Sequence, residues 1–407
     1  MARIAAVDPE LGAILQREEV RQSQSLTLIA SENHSSPAVR EACASLLTDK
    51  YAEGYPGARY YGGCENADLA EDLARRRALQ LFAGTEHVNV QPHSGTTANL
   101  AVLTALARPG GRILGMALNA GGHLSHGHGV SHTGIVFQPV HYGVDPATGL
   151  IQLEEVRRLA REHQPKVILA GASSYPRAID YPGFAAIARE VGAVLVADIA
   201  HPAGLIATGV MPSPVGHAEV VTTTTHKTLR GPRGGMIFCR KDLAKPIDSA
   251  VFPGAQGGPL MHQIAAKALA FGEALRPEFR AYQQRVKENA VHLAACLADR
   301  GLRIVTGGTD CHLILVDLRT QNVSGAEVEA RCRTAGLAVN KNMIPGDPRP
   351  PKQTSGLRVG TPAVTTRGMG RKEMEGIAEV IAGVVQGKEP ESFRARIGEL
   401  ARAFPLP

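Results

Sequence analysis

Three short segments carry residue types whose spacing suggests chemistry. The first is Gln91-Pro-His-Ser-Gly-Thr-Thr-Ala-Asn99, a strand end, a Ser-Gly-Thr turn and a helix start. Free N–H groups of a first helical turn, two hydroxyls and the helix dipole can together hold a phosphate. The same residues also make an ordinary N-cap, so this segment alone does not choose. The second is Val194-Leu-Val-Ala-Asp198-Ile-Ala-His201. A carboxylate ending a buried strand is unfavourable unless it meets a cation or hydrogen-bond donors, and His201 follows on the same turn. The third runs from Val220 to Gly235 and ends a strand in Thr222, Thr223, Thr224 and Thr225. His226, Lys227 and a glycine turn bearing Arg230 and Arg233 come next. A lysine there, partly desolvated and near Arg233, has its pKa pushed down and becomes a nucleophilic amine; a solvated loop lysine is the commoner fate. In combination the three are the handles of pyridoxal phosphate. That cofactor needs a phosphate seat, a carboxylate on its pyridinium nitrogen and a lysine for its aldehyde, and its protonated ring serves as an electron sink.

A histidine-rich loop, Gly121-Gly-His123-Leu-Ser-His126-Gly-His128-Gly-Val-Ser-His132, competes with a metal reading, since zinc accepts imidazoles. No carboxylate or thiol accompanies them at metal-ligand spacing, and H-E-x-x-H is absent. No metal is expected. One histidine stacked flat on the cofactor ring is the better use of this loop.

The elements that must position these residues follow from the hydrophobic pattern. In wound α/β sheets, function collects at the carboxyl ends of strands. After a short strand at 86–91, strands are predicted over 112–116, 135–139, 167–170, 193–198, 220–223 and 235–239. Helices of crossover length are predicted over 96–107, 153–163 and 181–191, with another over 69–82. Val194 to Ala197 is continuously apolar, as a parallel strand buried on both faces should be. Past Leu275 the pattern changes. A long amphipathic helix over 279–300 gathers Val286, Ala290, Leu293, Ala294 and Leu297 on one side. Short strands (311–318, 337–340, 357–359) and helices (325–335, 372–385) complete a smaller unit. The expected division is an N-terminal helical arm over 1–28, a large α/β domain over 29–275 and a small C-terminal α+β domain over 276–407. With little to pack on before Pro37, the arm is expected to lie on a partner subunit.

Composition narrows the classes. The chain has 407 residues, 44% hydrophobic and 20% charged, which is globular and excludes disordered and fibrous proteins. A net charge of +6, with no basic run longer than Arg75 to Arg77, is too dilute for nucleic acid but suits anionic small molecules. Six cysteines lie far apart without a C-x-x-C pair, so neither a disulfide framework nor a zinc ribbon is expected. The first residues do not read as a signal peptide, and no stretch approaches the roughly 18 apolar residues of a membrane helix. A soluble cytoplasmic protein is expected.

At this point the residues resemble a known family. Leu28-Ile-Ala-Ser31-Glu-Asn33, Lys50-Tyr51-Ala-Glu53-Gly-Tyr55-Pro-Gly57, Arg59-Tyr-Tyr61-Gly-Gly-Cys64, the Thr222 to Thr228 run, Gly231 to Gly235, Phe252-Pro-Gly254 and Ser355-Gly-Leu-Arg358-Val-Gly-Thr-Pro362 are similar to serine hydroxymethyltransferase motifs in order and spacing. The resemblance implies a fold-type-I pyridoxal-phosphate enzyme with a mostly parallel seven-stranded central sheet. It implies reversible conversion of L-serine and tetrahydrofolate to glycine and 5,10-methylenetetrahydrofolate through aldimine and quinonoid intermediates. A folate-independent aldolase side activity on 3-hydroxy amino acids goes with it, as does an obligate homodimer with shared active sites.

By motif, Lys227 resembles the Schiff-base lysine, Asp198 the pyridinium partner, His123 the ring-stacking histidine, and His201 and Ser173 the neighbours of the ring hydroxyl. Ser94, Gly95 and Thr96 resemble the phosphate cup, completed by Tyr51, Gly257 and Gly258 of the neighbouring subunit. Thr224, His226 and Arg233 belong to the same site. Arg358, helped by Ser31, resembles the clamp for the amino-acid carboxylate. Glu53, from across the interface with Tyr61, resembles the acid/base for the substrate hydroxyl; walled by Tyr51, Tyr55 and Tyr61, it is expected to be partly desolvated. Leu118, Gly122, Leu124 and Asn342 match folate contacts.

Two stretches depart from the family pattern. Asp347-Pro-Arg-Pro-Pro-Lys352 stands where an aromatic after Ser-Pro is usual, and Lys352 there would favour a polyglutamate tail. Gly171-Ala-Ser-Ser174-Tyr-Pro-Arg177 replaces a small-residue run. An aldolase or aminotransferase would keep Asp198, Lys227 and an arginine without the Tyr51 to Tyr55 signature or Asn342. A catalytically silent homologue would not need Lys227, Asp198 and Arg358 intact.

Overall fold

The computed structural model describes residues 2–407. Its central layer is a seven-stranded sheet in the order His87–Asn89, Gly235–Cys239, Val220–Thr224, Val194–Asp198, Val167–Gly171, Arg112–Met116, Gln138–Tyr142. Gly235–Cys239 runs antiparallel to both its neighbours, and the remaining pairs are parallel. Val167–Gly171, Val220–Thr224 and Gly235–Cys239 are buried at every position, because helices cover both faces of such a sheet. Two of the crossover helices start on side-chain caps: Ser94 accepts from the Thr97 N–H, and Asp180 accepts from the Gly183 N–H. In register, Asp198 lies beside Gly171 on one side and Thr222 on the other. Three strand ends are thereby levelled where the chemistry was expected.

A second, four-stranded antiparallel sheet runs Arg303–Ile304, Leu313–Asp317, Gly356–Gly360, Asn340–Asn342. The long helix Pro277–Asp299 joins the two units. Its Phe279, Tyr282 and Val286 sit in the apolar cluster of the large sheet, while Leu293 and Leu297 sit in that of the small one. Leu26 and Leu28 also belong to the second cluster, where Leu26–Thr27 pairs in parallel with Leu337–Ala338.

Most predicted elements appear within a few residues of their expected limits, and two do not. Residues 135–139 were expected as a strand. Instead His132–Val136 is a short helix, capped by Ser131 accepting from the Gly134 N–H, and the strand is Gln138–Tyr142. The capping hydroxyl outweighs the β-branched pair Ile135-Val136. The strand expected over 337–340 is split into Leu337–Ala338 and Asn340–Asn342, because the two pieces pair with different partners. Helices Lys241–Ser249, Met261–Ala274 and Glu391–Ala403 had no counterpart in the expectation. The arm forms helices Ala2–Val7 and Pro9–Gln24, and Leu11, Ile14, Leu15 and Val20 are exposed on this chain. Among the described residues, no helix is long and apolar enough to cross a membrane.

Candidate active site

A cavity of about 390 Å³ opens at the carboxyl ends of the central strands, with Arg358 of the small sheet on its far wall. Ser94, Gly95, Thr96, His123, Ser173, Asp198, His201, Thr224, His226, Lys227, Arg233 and Ser31 all line it. They reach it from a few strand ends and turns, with Ser94 to Thr96, Asp198 with His201, and Thr224 to Lys227 each on one segment.

The turn Ser94 to Thr96 is built by close approach. Ser94 is in extended conformation and caps the helix Gly95–Leu106. The Gly95 and Thr96 N–H groups then belong to the first turn and have no acceptor within the helix. A Cβ on Gly95 would lie 2.7 Å from Thr224 Cγ2, and one on Gly235 would lie 2.4 Å from the Ser94 carbonyl oxygen. Only glycine lets the turn, the threonine strand and the antiparallel strand pack this closely. Thr224 Oγ1 donates to the Ala200 carbonyl (3.2 Å) and is held in place.

Asp198 is buried and fully solvated by protein. Its Oδ2 accepts from Asn99 Nδ2 (2.8 Å) and His126 Nε2 (2.9 Å), and its Oδ1 accepts from the Ala200 N–H (3.0 Å). Burial alone would raise its pKa, but the hydrogen bond and charge of His126, with His123 and Asn99, hold it well below the usual carboxylate range. Lys227 has no carboxylate within ion-pair distance among the described residues. Burial lowers its ammonium to about 8; Asp198 opposes the shift, while Arg358 and Arg233 assist it. The lysine turn is pinned by Asn33, whose Nδ2 donates to the Lys227 carbonyl (2.9 Å), and by Thr228 Oγ1 donating to the His201 carbonyl (2.6 Å).

The imidazoles around the cavity are kept neutral by burial. His123 is lowered to about 4 and His226 to about 3, and His201 is pushed well below its ordinary value. His201 Nδ1 lies 3.2 Å from His312 Nε2, with the two rings nearly parallel. Arg358 donates from Nη1 to the Ser173 carbonyl (2.8 Å) and from Nε to Asn340 Oδ1 (3.3 Å), leaving Nη2 without a partner among the described residues. Burial lowers its guanidinium to about 10. A desolvated arginine with no facing carboxylate is prepared for an anion from outside the chain.

The expected residues that do not line this cavity fall into two groups. Tyr51, Glu53, Tyr61, Gly257 and Gly258 form a cluster of their own. Glu53 Oε1 accepts from Tyr51 Oη (3.3 Å) and Oε2 from Tyr61 Oη (3.4 Å). A Cβ on Gly257 would lie 3.3 Å from Glu53, and one on Gly258 3.4 Å from the Tyr51 ring. Both tyrosines are about half exposed on this chain, at 56% and 49%. Tyr55, expected as a third wall of Glu53, is turned elsewhere. Its hydroxyl donates to the Asp248 carbonyl (2.7 Å) and accepts from Asn89 (2.9 Å), partners that draw the ring away from Glu53. The second group edges the Ser173 side of the cavity. Leu118 and Leu124 are exposed on short turns, the Gly121 carbonyl between them accepts from the Ser173 N–H (2.8 Å), and Gly122 follows it. Asn342 Nδ2 donates to Ser174 Oγ (3.2 Å).

Asn99, Ser125 and His126 lay within the quoted segments without a role of their own at the cofactor ring, and His312 lay outside them. Asn99 carried a signal, a polar residue amid Ala98, Ala101, Val102 and Leu103 on the buried face of its helix. Arg177, in one departing stretch, has a structural use. It donates to Asp310 (2.9 Å) and to the Thr306 carbonyl (2.6 Å), joining the two units beside Ser173. Lys352 is exposed.

The cavity fits pyridoxal phosphate. Buried Lys227, half-buried Arg358 and exposed Arg233 outnumber the buried Asp198 and the rim residue Glu32, a balance suited to a ligand carrying a phosphate and to a substrate carboxylate. Among the described residues, no group of three or more His, Cys, Asp or Glu could hold a metal ion. Compared with known families, residues 4–381 match the family model described as Serine hydroxymethyltransferase.

Proposed function

The chain belongs to the serine hydroxymethyltransferase family, and we propose that it converts L-serine and tetrahydrofolate reversibly to glycine and 5,10-methylenetetrahydrofolate in a cavity its own residues arrange as follows. The family consists of pyridoxal-phosphate-dependent glycine hydroxymethyltransferases of fold type I (EC 2.1.2.1), with tetrahydrofolate as co-substrate in one-carbon metabolism. Ser94, Gly95 and Thr96 would hold the cofactor phosphate, Asp198 would pair with the ring nitrogen, His123 would cover the ring, and His201 and Ser173 would stand at the ring hydroxyl. When bound, the cofactor supplies a sink for the electron pair released at the substrate Cα. Lys227, lowered to about 8, has a usable share of neutral amine near neutral pH, and so can bond the cofactor and carry a proton to or from Cα.

Arg358 and Ser31 hold the substrate carboxylate, and the guanidinium fork fixes which bond at Cα stands across the ring. The half-exposed Tyr51–Glu53–Tyr61 cluster, apart from its own chain's cavity, supports a homodimer in which these residues and Gly257–Gly258 complete the partner's site. Glu53 then exchanges a proton with the substrate hydroxyl. Leu118, Gly122, Leu124 and Asn342, along the Ser173 edge, receive the folate. Cleavage of bulkier 3-hydroxy amino acids needs the same residues without folate. We also propose a cytoplasmic location.

The observation that carries this reading is one cavity joining a phosphate cradle, buried Asp198, buried Lys227 and an arginine without a carboxylate. The test is the visible absorption of the purified protein. A cofactor band should be present, and a longer-wavelength band should develop with glycine and strengthen when tetrahydrofolate is added. A protein without the first band, or one indifferent to folate, refutes the assignment.

A further inference from the structure

The helix bearing Asn99 and the loop bearing His123 meet in a closed set of hydrogen bonds with no role so far. Ionised Asp198 can only accept, so the Asn99 atom 2.8 Å from Oδ2 is its amide nitrogen. The same Nδ2 donates to Ser125 Oγ (2.8 Å), and Thr222 Oγ1 donates to Asn99 Oδ1 (2.6 Å), which fixes the amide from its other end. The Ser125 N–H donates to His123 Nδ1 (3.1 Å), making that nitrogen an acceptor. Ser125 Oγ, 2.7 Å from Nδ1 and already accepting from Asn99, turns its own hydrogen onto it. Asn99, Ser125 and Thr222 are essentially inaccessible, at 1%, 0% and 1%.

We infer that Asn99 and Ser125 are positioning residues of the ring site: one relay, Asp198–Asn99–Ser125–His123, orients the carboxylate for the ring nitrogen and fixes His123 with its proton on Nε2. This rests on the pyridoxal-phosphate reading. A neutral imidazole can lie against a protonated pyridine ring, whereas an imidazolium there would set two like charges face to face. Burial is the main cause of the low pKa of His123. Asp198 opposes it, while His126, Lys227 and Arg358 assist, and His201 faces the same space. Donors aimed at Nδ1 add to the neutral form, so losing one makes protonation easier.

The experiment titrates the visible absorption of the holoenzyme from about pH 7 down to 3, a range that spans the lowered value of His123, about 4. Wild type, Ser125→Ala, Ser125→Thr and Asn99→Ala are compared, with cofactor affinity measured on each. Ser125→Ala should raise the acid transition by about one pH unit, a tenfold change in proton affinity, and Ser125→Thr, which keeps the hydroxyl, should restore it. Asn99→Ala should weaken cofactor binding about tenfold, as loss of an outer-shell partner does. Identical titrations for the alanine and threonine variants, or wild-type affinity in Asn99→Ala, overturn the inference. If the wild type shows no cofactor band, the pyridoxal-phosphate reading fails. The ¹⁵N shifts of His123 in wild type and Ser125→Ala then decide the relay by themselves: an acceptor Nδ1 that loses its hydroxyl donor supports it, and unchanged shifts refute it.

Discussion

Replacing Arg358 with lysine keeps a positive charge on the strand Gly356–Gly360 and removes the planar fork. In the structure that fork is already half used. Nη1 is committed to the Ser173 carbonyl and Nε to Asn340, and Nη2 is free. A lysine ammonium can reach either the Ser173 carbonyl or an incoming carboxylate, and cannot hold both in a fixed plane. Truncating one partner of a buried, hydrogen-bonded charge pair costs about 2–5 kcal/mol. Because lysine retains charge, the lower end applies, and about 2 kcal/mol is roughly a 30-fold loss in affinity. The Michaelis constant for serine should therefore rise about 30-fold or more. Cofactor affinity should change little, since Arg358 makes no bond to the cradle of Ser94, Gly95 and Thr96. Steady-state kinetics with serine as the varied substrate, paired with cofactor titration, separates the two. A Michaelis constant within about threefold of wild type would show that the substrate carboxylate is held elsewhere.

Lys227→Ala should abolish the borohydride-reducible bond to the cofactor while leaving noncovalent binding through the phosphate cradle and Asp198; a surviving adduct would identify another lysine as the anchor. Glu53→Gln should collapse folate-dependent conversion of serine and spare aldol cleavage of bulkier substrates. Mixing Glu53→Gln with Lys227→Ala subunits should restore part of the activity, because one site of each hybrid dimer lacks both defects, and absence of rescue counts against shared sites. In the cofactor-free protein the ammonium of Lys227 is lowered to about 8 from an ordinary 10.5, so the unfolded chain binds more protons between those values. Unfolding free energy should rise with pH across that window, and less so in Lys227→Met. Denaturant unfolding near pH 7.5 and 9.5 reads the difference, and equal slopes would show that Lys227 is not depressed.

Local pattern alone reached a long way here. Of the strand ends bearing Ser94–Thr96, Asp198 and Lys227, that of Asp198 was the most directly legible, because a parallel strand buried on both faces is a continuous apolar run, and the polar residue that stops Val194 to Ala197 stands at the sheet's carboxyl edge. The long helix over 277–299 was legible for a similar reason, its apolar stripe repeating at helical spacing. Tertiary structure alone decided how those ends are wired. That Asn99, Ser125 and His126 converge on Asp198 and His123, and that His312 of the small unit meets His201, depends on residues 26 to 111 positions apart being brought into contact. No periodicity encodes such a meeting. The turn of Tyr55 away from Glu53 was likewise settled by tertiary partners, since its hydroxyl meets the Asp248 carbonyl and the Asn89 amide, 193 and 34 positions away. The helix at His132–Val136 shows the same limit at short range, where one capping hydroxyl on Ser131 set the backbone against the preference of the residues that follow it.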